Sequence, residues 1–196
     1  LADLLDGLAG DAAVQGDKVH TVLCMQAHHI DEVLCSQLSQ IALGFQVIGT
    51  DPYFSPTEET NAYVKAVSMD EVIETSDIIS LHCPADGNRD LFCKETFKRM
   101  KNTAVLINVA RGGIINETDL DQALTDGEIA GAALDCMAGE PVSKDSPLFA
   151  HENLLVTPHM AWYSEEAAQE LKRKVAEESV RFARGEKIHY PINKLA

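Results

Sequence analysis

The chain has 196 residues, 45% of them hydrophobic, with 31 acidic against 16 basic residues and a formal net charge of −15 at pH 7. That length and composition suit one full-sized globular domain, or one domain plus a fragment, and so acidic a surface repels phosphate backbones, which excludes nucleic-acid binding by charge. No stretch approaches the ~20 apolar residues of a membrane span, and the five cysteines include no C-x-x-C pair, so reduced, packed thiols in a cytoplasmic protein are expected.

Residues 1–18 read as one short helix or linker, with Leu1, Leu4, Leu5 and Leu8 on an apolar stripe. A main domain is expected over 19–163, then a helix and tail over 164–196. "VHTVLCM" (19–25) predicts a strand, and "IDEVLCSQLSQIAL" (30–43) a helix that Gly44 could end. "QVIGTD" (46–51) reads as a strand closing on a carboxylate. "SMDEVIETS" (68–76) reads as a helix capped by Ser68. Then come strand 77–83, helix 94–100 and strand 103–110. Helix 116–127 has Asn116 and Asp119 in a capping arrangement and Gly127 at its end. Strands 129–137 and 153–158 follow, and the longest helix runs over 164–186, capped by Ser164. Strand–helix alternation implies right-handed crossovers: an α/β, doubly wound parallel sheet in three layers, α/β/α.

Ligands of such sheets bind beyond the carboxyl ends of the strands. Those ends carry Asp51, His82–Cys83–Pro84, Arg111, Asp135 and Pro158–His159. Gly112 and Gly113 follow Arg111 and would let backbone and ligand approach closely. Taken singly, each residue has a plain reading. Arg111 is then an exposed salt-bridging arginine, Glu140 a solvated loop carboxylate and His159 a strand-end histidine bonded to backbone. Asp51 is a turn aspartate before Pro52, and Trp162 is packing.

Taken together, "VIGTDPYFSP" (47–56), "DIISLHCPADGNRDLF" (77–92), "LINVARGGIINETDLDQAL" (106–124), "GAALDCMAGEP" (131–141) and "NLLVTPHMAWYS" (153–164) resemble the D-isomer-specific 2-hydroxyacid dehydrogenases. "PHMAWYSEEA" looks most like their C-terminal-binding-protein-like branch. The resemblance implies a Rossmann-like fold, NAD as cofactor and a small 2-oxo or 2-hydroxy acid as substrate. It makes Arg111, Glu140 and His159 the catalytic set. Arg111 has a planar fork suited to a carboxylate. His159 serves as acid–base, and Glu140 holds its ring and favours the protonated form. Asp51 matches the acid that bonds the adenosine ribose, favouring NAD over NADP. By the same resemblance His82, Cys83 and Pro84 line the cofactor groove, Val109 and Ala110 present backbone near the nicotinamide, Asp135 meets its carboxamide, and Trp162 borders the substrate. A homo-oligomer, most simply a homodimer, is implied too.

Two departures stand out. The family places G-x-G-x-x-G roughly two dozen residues before the ribose-binding acid. Here that position holds "HHIDEV" (28–33), and no glycine occurs from Asp17 through Leu43. Bulky His28 and His29, with Asp31 and Glu32, predict weakened or altered NAD binding. Adjacent histidines diverge and no further ligands stand at metal spacing, so no metal is expected there. The second departure is the family's substrate domain, expected to be largely missing. The resulting alternative is a non-catalytic dinucleotide-binding or regulatory module on the same fold.

Overall fold

The computed structural model describes residues 20–25, 45–51 and 64–191. The expected helices over 1–18 and 30–43, and the segment 28–33, lie outside the described residues. Two compact units are present, Leu1–His159 and Met160–Ala196.

The first unit contains a seven-stranded sheet: β1 (His20–Met25), β2 (Gln46–Thr50), β3 (Lys65–Ala66), β4 (Ile78–His82), β5 (Val105–Asn108), β6 (Gly131–Leu134) and β7 (Leu154–Val156). Every pairing is parallel, and the order is β3-β2-β1-β4-β5-β6-β7. The chain winds outward from β1 to β3, then returns and winds the other way from β4. That reversal is the switch point at which such sheets leave a crevice beyond their carboxyl ends. The expected doubly wound parallel architecture is therefore present.

The central strands β4, β5 and β6 are apolar because helices and loops cover them. Ile79, Leu81, Val105, Leu106, Ala132 and Leu134 are at most 2% exposed, as burial on both faces requires. Helix α1 (Met69–Thr75) starts where Ser68 Oγ accepts from Glu71 N (3.1 Å) and buries Val72 and Ile73. Helix α3 (Glu117–Asp126) buries Leu120, Ala123 and Leu124, a single i, i+3, i+4 face, and ends at Gly127 with φ +69°. Asn116 caps it as expected, accepting from Asp119 N (3.1 Å). Asp119 does not return to Asn116, however. Its carboxylate accepts from Lys94 N (2.9 Å) and so caps helix α2 (Lys94–Phe97), while Asn116 N donates to Phe92 O (2.9 Å).

Elements are shorter than the sequence pattern implied. The helix expected over 94–100 stops at Phe97, because Arg99 and Met100 bond three residues back, in a tighter turn. The strand expected to reach Ala110 stops at Asn108, whose side chain takes up the following backbone. Strand β3 and a 3₁₀ turn at Pro147–Ala150 are additional, too short to carry a periodic signal. In the second unit, α4 (Glu165–Ala183) is capped by Ser164 Oγ, which accepts from Ala167 N (3.0 Å).

Candidate active site

Because all strands run parallel, the loops after β2, β4, β5, β6 and β7 open on one edge. Arg111 sits in the loop after β5 and is exposed. Its position is set by backbone contacts. Asn108, only 1% exposed, donates from Nδ2 to Arg111 O (2.9 Å) and accepts Ala110 N on Oδ1 (3.1 Å). Further along, Gly113 O accepts from Asp90 N (3.0 Å) and Ile114 O from Phe92 N (3.1 Å). The guanidinium turns back, with Nη1 donating to Ala110 O (2.7 Å).

The glycines answer to the protein's own backbone. A Cβ on Gly112 would lie 1.9 Å from Met137 O, so the loops after β5 and β6 press together there. Gly113 has φ +82°, a conformation that costs other residues strain. The expected close approach is thus made by the backbone of Met137.

His159 and Glu140 form a pair. His159 Nδ1 lies 2.8 Å from Glu140 Oε2, and Glu140 Oε1 accepts Met137 N (3.2 Å). These two bonds, the imidazole first and the amide second, hold the Glu140 carboxyl below the usual glutamate range. Ala138 N donates to a Glu117 carboxylate oxygen and braces the same loop. His159 adopts φ +53°, unusual for a residue with a side chain. Its N–H lies 3.0 Å from both Asp135 O and Thr157 O, which holds that conformation.

One oxygen links these groups. Ala110 O accepts both from Arg111 Nη1 (2.7 Å) and from Cys136 Sγ (3.4 Å). The Cys136 thiol, a Glu140 carboxylate oxygen and a His159 ring nitrogen lie within 4.8 Å of one another. Burial, then the charges of Asp135 and Glu140, push the Cys136 thiol up, against a smaller opposing effect of Arg111. The three residues expected to act together therefore come to one rim. A cavity of about 420 Å³ borders the Glu140–His159 pair, walled by Val142, Phe149 and Val156.

The remaining expected residues fall along that edge. Asp51 is half-buried directly after β2. His82 ends β4 with Nε2 at 2.8 Å from Ser80 Oγ, and burial lowers its basicity. Cys83 is buried and Pro84 exposed. Ala110 is buried and Val109 half-buried. Asp135 is 6% exposed, and its Oδ1 accepts from Thr157 Oγ1 (2.6 Å). Trp162 belongs to the second unit, where its ring meets Tyr163 edge-on, centroids 5.5 Å apart. Asn108 and Cys136 were not singled out from sequence. The one available signal was a polar residue inside the apolar run "VLINVA".

The family described as D-isomer specific 2-hydroxyacid dehydrogenase, NAD binding domain, matches residues 34–161. The match begins after the segment 28–33. D-3-phosphoglycerate dehydrogenase 2, chloroplastic, of Arabidopsis thaliana is 44% identical over 146 residues, covering 74% of this chain and 23% of that protein. Hydroxypyruvate reductase of Blautia hydrogenotrophica is 34% identical over 154 residues, 78% of this chain and 47% of that protein. The crystal structure of D-lactate dehydrogenase with NAD+ from Lactobacillus jensenii aligns with a TM-score of 0.78 at 30% identity, over 90% of this chain and 56% of that chain. The chain thus spans less than half the length of these curated relatives.

Proposed function

Because this chain belongs to the D-isomer specific 2-hydroxyacid dehydrogenases through their NAD-binding domain, we propose that it serves NAD-dependent hydride transfer between a small 2-hydroxy acid and its 2-oxo acid. The observation that carries this reading is the 2.8 Å contact between His159 Nδ1 and Glu140 Oε2. It makes a supported acid–base group at the rim that also holds Arg111.

Asp51 and Asp135 fit the cofactor: one is half-buried after β2, the strand next to β1 at the switch point, the other buried beside the pair. When bound, NADH supplies the hydride. The chain's residues do the rest. Arg111 releases Ala110 O and turns its fork to the substrate carboxylate. His159 gives a proton to the carbonyl oxygen as C2 is reduced, and takes it back in the oxidation direction. Glu140 keeps the ring oriented and balances its charge. His82, Cys83, Pro84, Val109 and Ala110 border the cofactor, and Trp162 borders the substrate. Asp51 favours NAD over NADP, since a carboxylate repels a 2′-phosphate. The glycine-free segment 28–33 supports weakened NAD binding. The segment "PHMAWYSEEA" (158–167) supports the C-terminal-binding-protein-like branch, the resemblance supports a homodimer, and cysteines set in apolar runs suit the cytoplasm.

Calorimetry with NADH, followed by NADH oxidation with glyoxylate, pyruvate and larger 2-oxo acids, tests the proposal. Binding with turnover that Arg111→Ala abolishes is expected. Turnover indifferent to that substitution would reject the roles, and binding without turnover would favour the non-catalytic module.

A further inference from the structure

We propose that Cys136, Glu140 and His159 form a binding site for a divalent transition metal, zinc foremost, and that filling it disables the acid–base pair. The site itself rests on geometry alone, whereas its effect on catalysis rests on the function proposed above.

The three donor atoms already lie within 4.8 Å of one another. Zinc bonds of about 2.0–2.3 Å in a tetrahedron separate neighbouring ligands by roughly 3.3–3.6 Å for these donor types, so the most distant donors must close by about 1.5 Å at most. The donor types select the metal. A thiolate with an imidazole and one carboxylate suits zinc and cobalt, whereas magnesium and calcium prefer all-oxygen shells. Two of the donors adjust readily: the His159 and Glu140 side chains are 42% and 39% exposed. The third is fixed, since Cys136 is 2% exposed and bonded to Ala110 O. The adjoining cavity, lined in part by Glu140 and His159, reaches two of the three donors and leaves room for water as fourth ligand.

Binding needs no redox partner. The thiol gives up its bond to Ala110 O and its proton to solvent as the sulfur–metal bond forms, and the metal takes the place of the hydrogen between His159 Nδ1 and Glu140 Oε2, that proton also passing to solvent. That contact, 2.8 Å long, widens by about half an ångström to seat it. With ring nitrogen and carboxylate both ligated, neither serves proton transfer. Cys136 and Glu140 stand four residues apart in the loop after β6 and His159 follows β7, so the set spans two loops and forms no short metal motif.

The test is a titration of the full chain with cobalt(II), followed by absorbance. A saturable thiolate-to-cobalt charge-transfer band in the near ultraviolet is expected, displaced by zinc. Cys136→Val should abolish the band, and Glu140→Gln should weaken cobalt binding by about 10-fold or more. Cys136→Ser serves as a second variant, with circular dichroism confirming the fold of each. In the NADH-linked assay zinc should inhibit the unmodified chain, and Cys136→Val should need at least about 10-fold more zinc. No band at millimolar cobalt, or an unchanged band in Cys136→Val, overturns the site. If the chain shows a Cys136-dependent band but no turnover, the metal site stands and the dehydrogenase reading fails.

Discussion

Asn108 holds Arg111 by its backbone: the buried Asn108 amide donates to Arg111 O over 2.9 Å, while its oxygen accepts Ala110 N over 3.1 Å. A neutral side chain thus sets the position of the charged residue after β5. Asn108→Ala leaves Ala110 N unsatisfied in a buried place and frees the loop. A loss of about 2 kcal/mol is expected in urea unfolding. Substrate binding should weaken with it, as a raised KM. Unchanged stability would show that the loop does not depend on these two bonds.

Gly112→Ala should be more disruptive than its single added carbon suggests. The new methyl would collide with Met137 O, 1.9 Å away, and backbone cannot rotate aside as a side chain can. The loops after β5 and β6 must separate, at a cost of about 1–3 kcal/mol. Thermal unfolding measures it. Gly127→Ala is the control: its φ is +69° but nothing lies within 4 Å, so only backbone strain of about 1 kcal/mol is expected.

These two positions mark what the sequence could and could not reveal. The doubly wound parallel sheet and its single functional edge followed from alternation, because parallel strands joined by helices leave few topologies. Arg111, Glu140 and His159 were found from their motifs. Asn108 was passed over because a polar residue in an apolar run has no meaning until its partners are known. A close backbone approach at Gly112 is legible from the glycine, but that it comes from Met137, in a different loop, is invisible along the chain. Asp119 was read as closing its own helix, yet it caps α2, since capping chemistry does not say which N–H is nearest.

Glu140 gives a pH prediction. Its carboxyl is held below the usual glutamate range by the His159 ring and Met137 N–H. A depressed folded value means its contribution is present above the ordinary glutamate pKa of about 4.3 and is lost as pH falls through the lower folded value. Native stability should therefore drop on acidification in that window, and Glu140→Gln should flatten that part of the curve. Chemical unfolding at a series of pH values checks this, and identical profiles would contradict it.

Arg111→Lys separates charge from shape. Lysine keeps the positive charge but lacks the planar fork that grips a carboxylate at two points. A fall of about 10-fold or more in kcat/KM is expected for Arg111→Lys, and about 100-fold or more for Arg111→Ala. Equal activity of the lysine variant would show that charge alone suffices.

The most direct test follows the hydride itself. The full chain is incubated with a 2-oxo acid and NADH carrying deuterium at both C4 positions of the nicotinamide, and the product is read by mass spectrometry and NMR. Deuterium should appear on the hydroxyl-bearing carbon of one enantiomer, and His159→Ala or Arg111→Ala should suppress it. Absence of transfer with every 2-oxo acid tried, or transfer that survives both substitutions, would contradict the account.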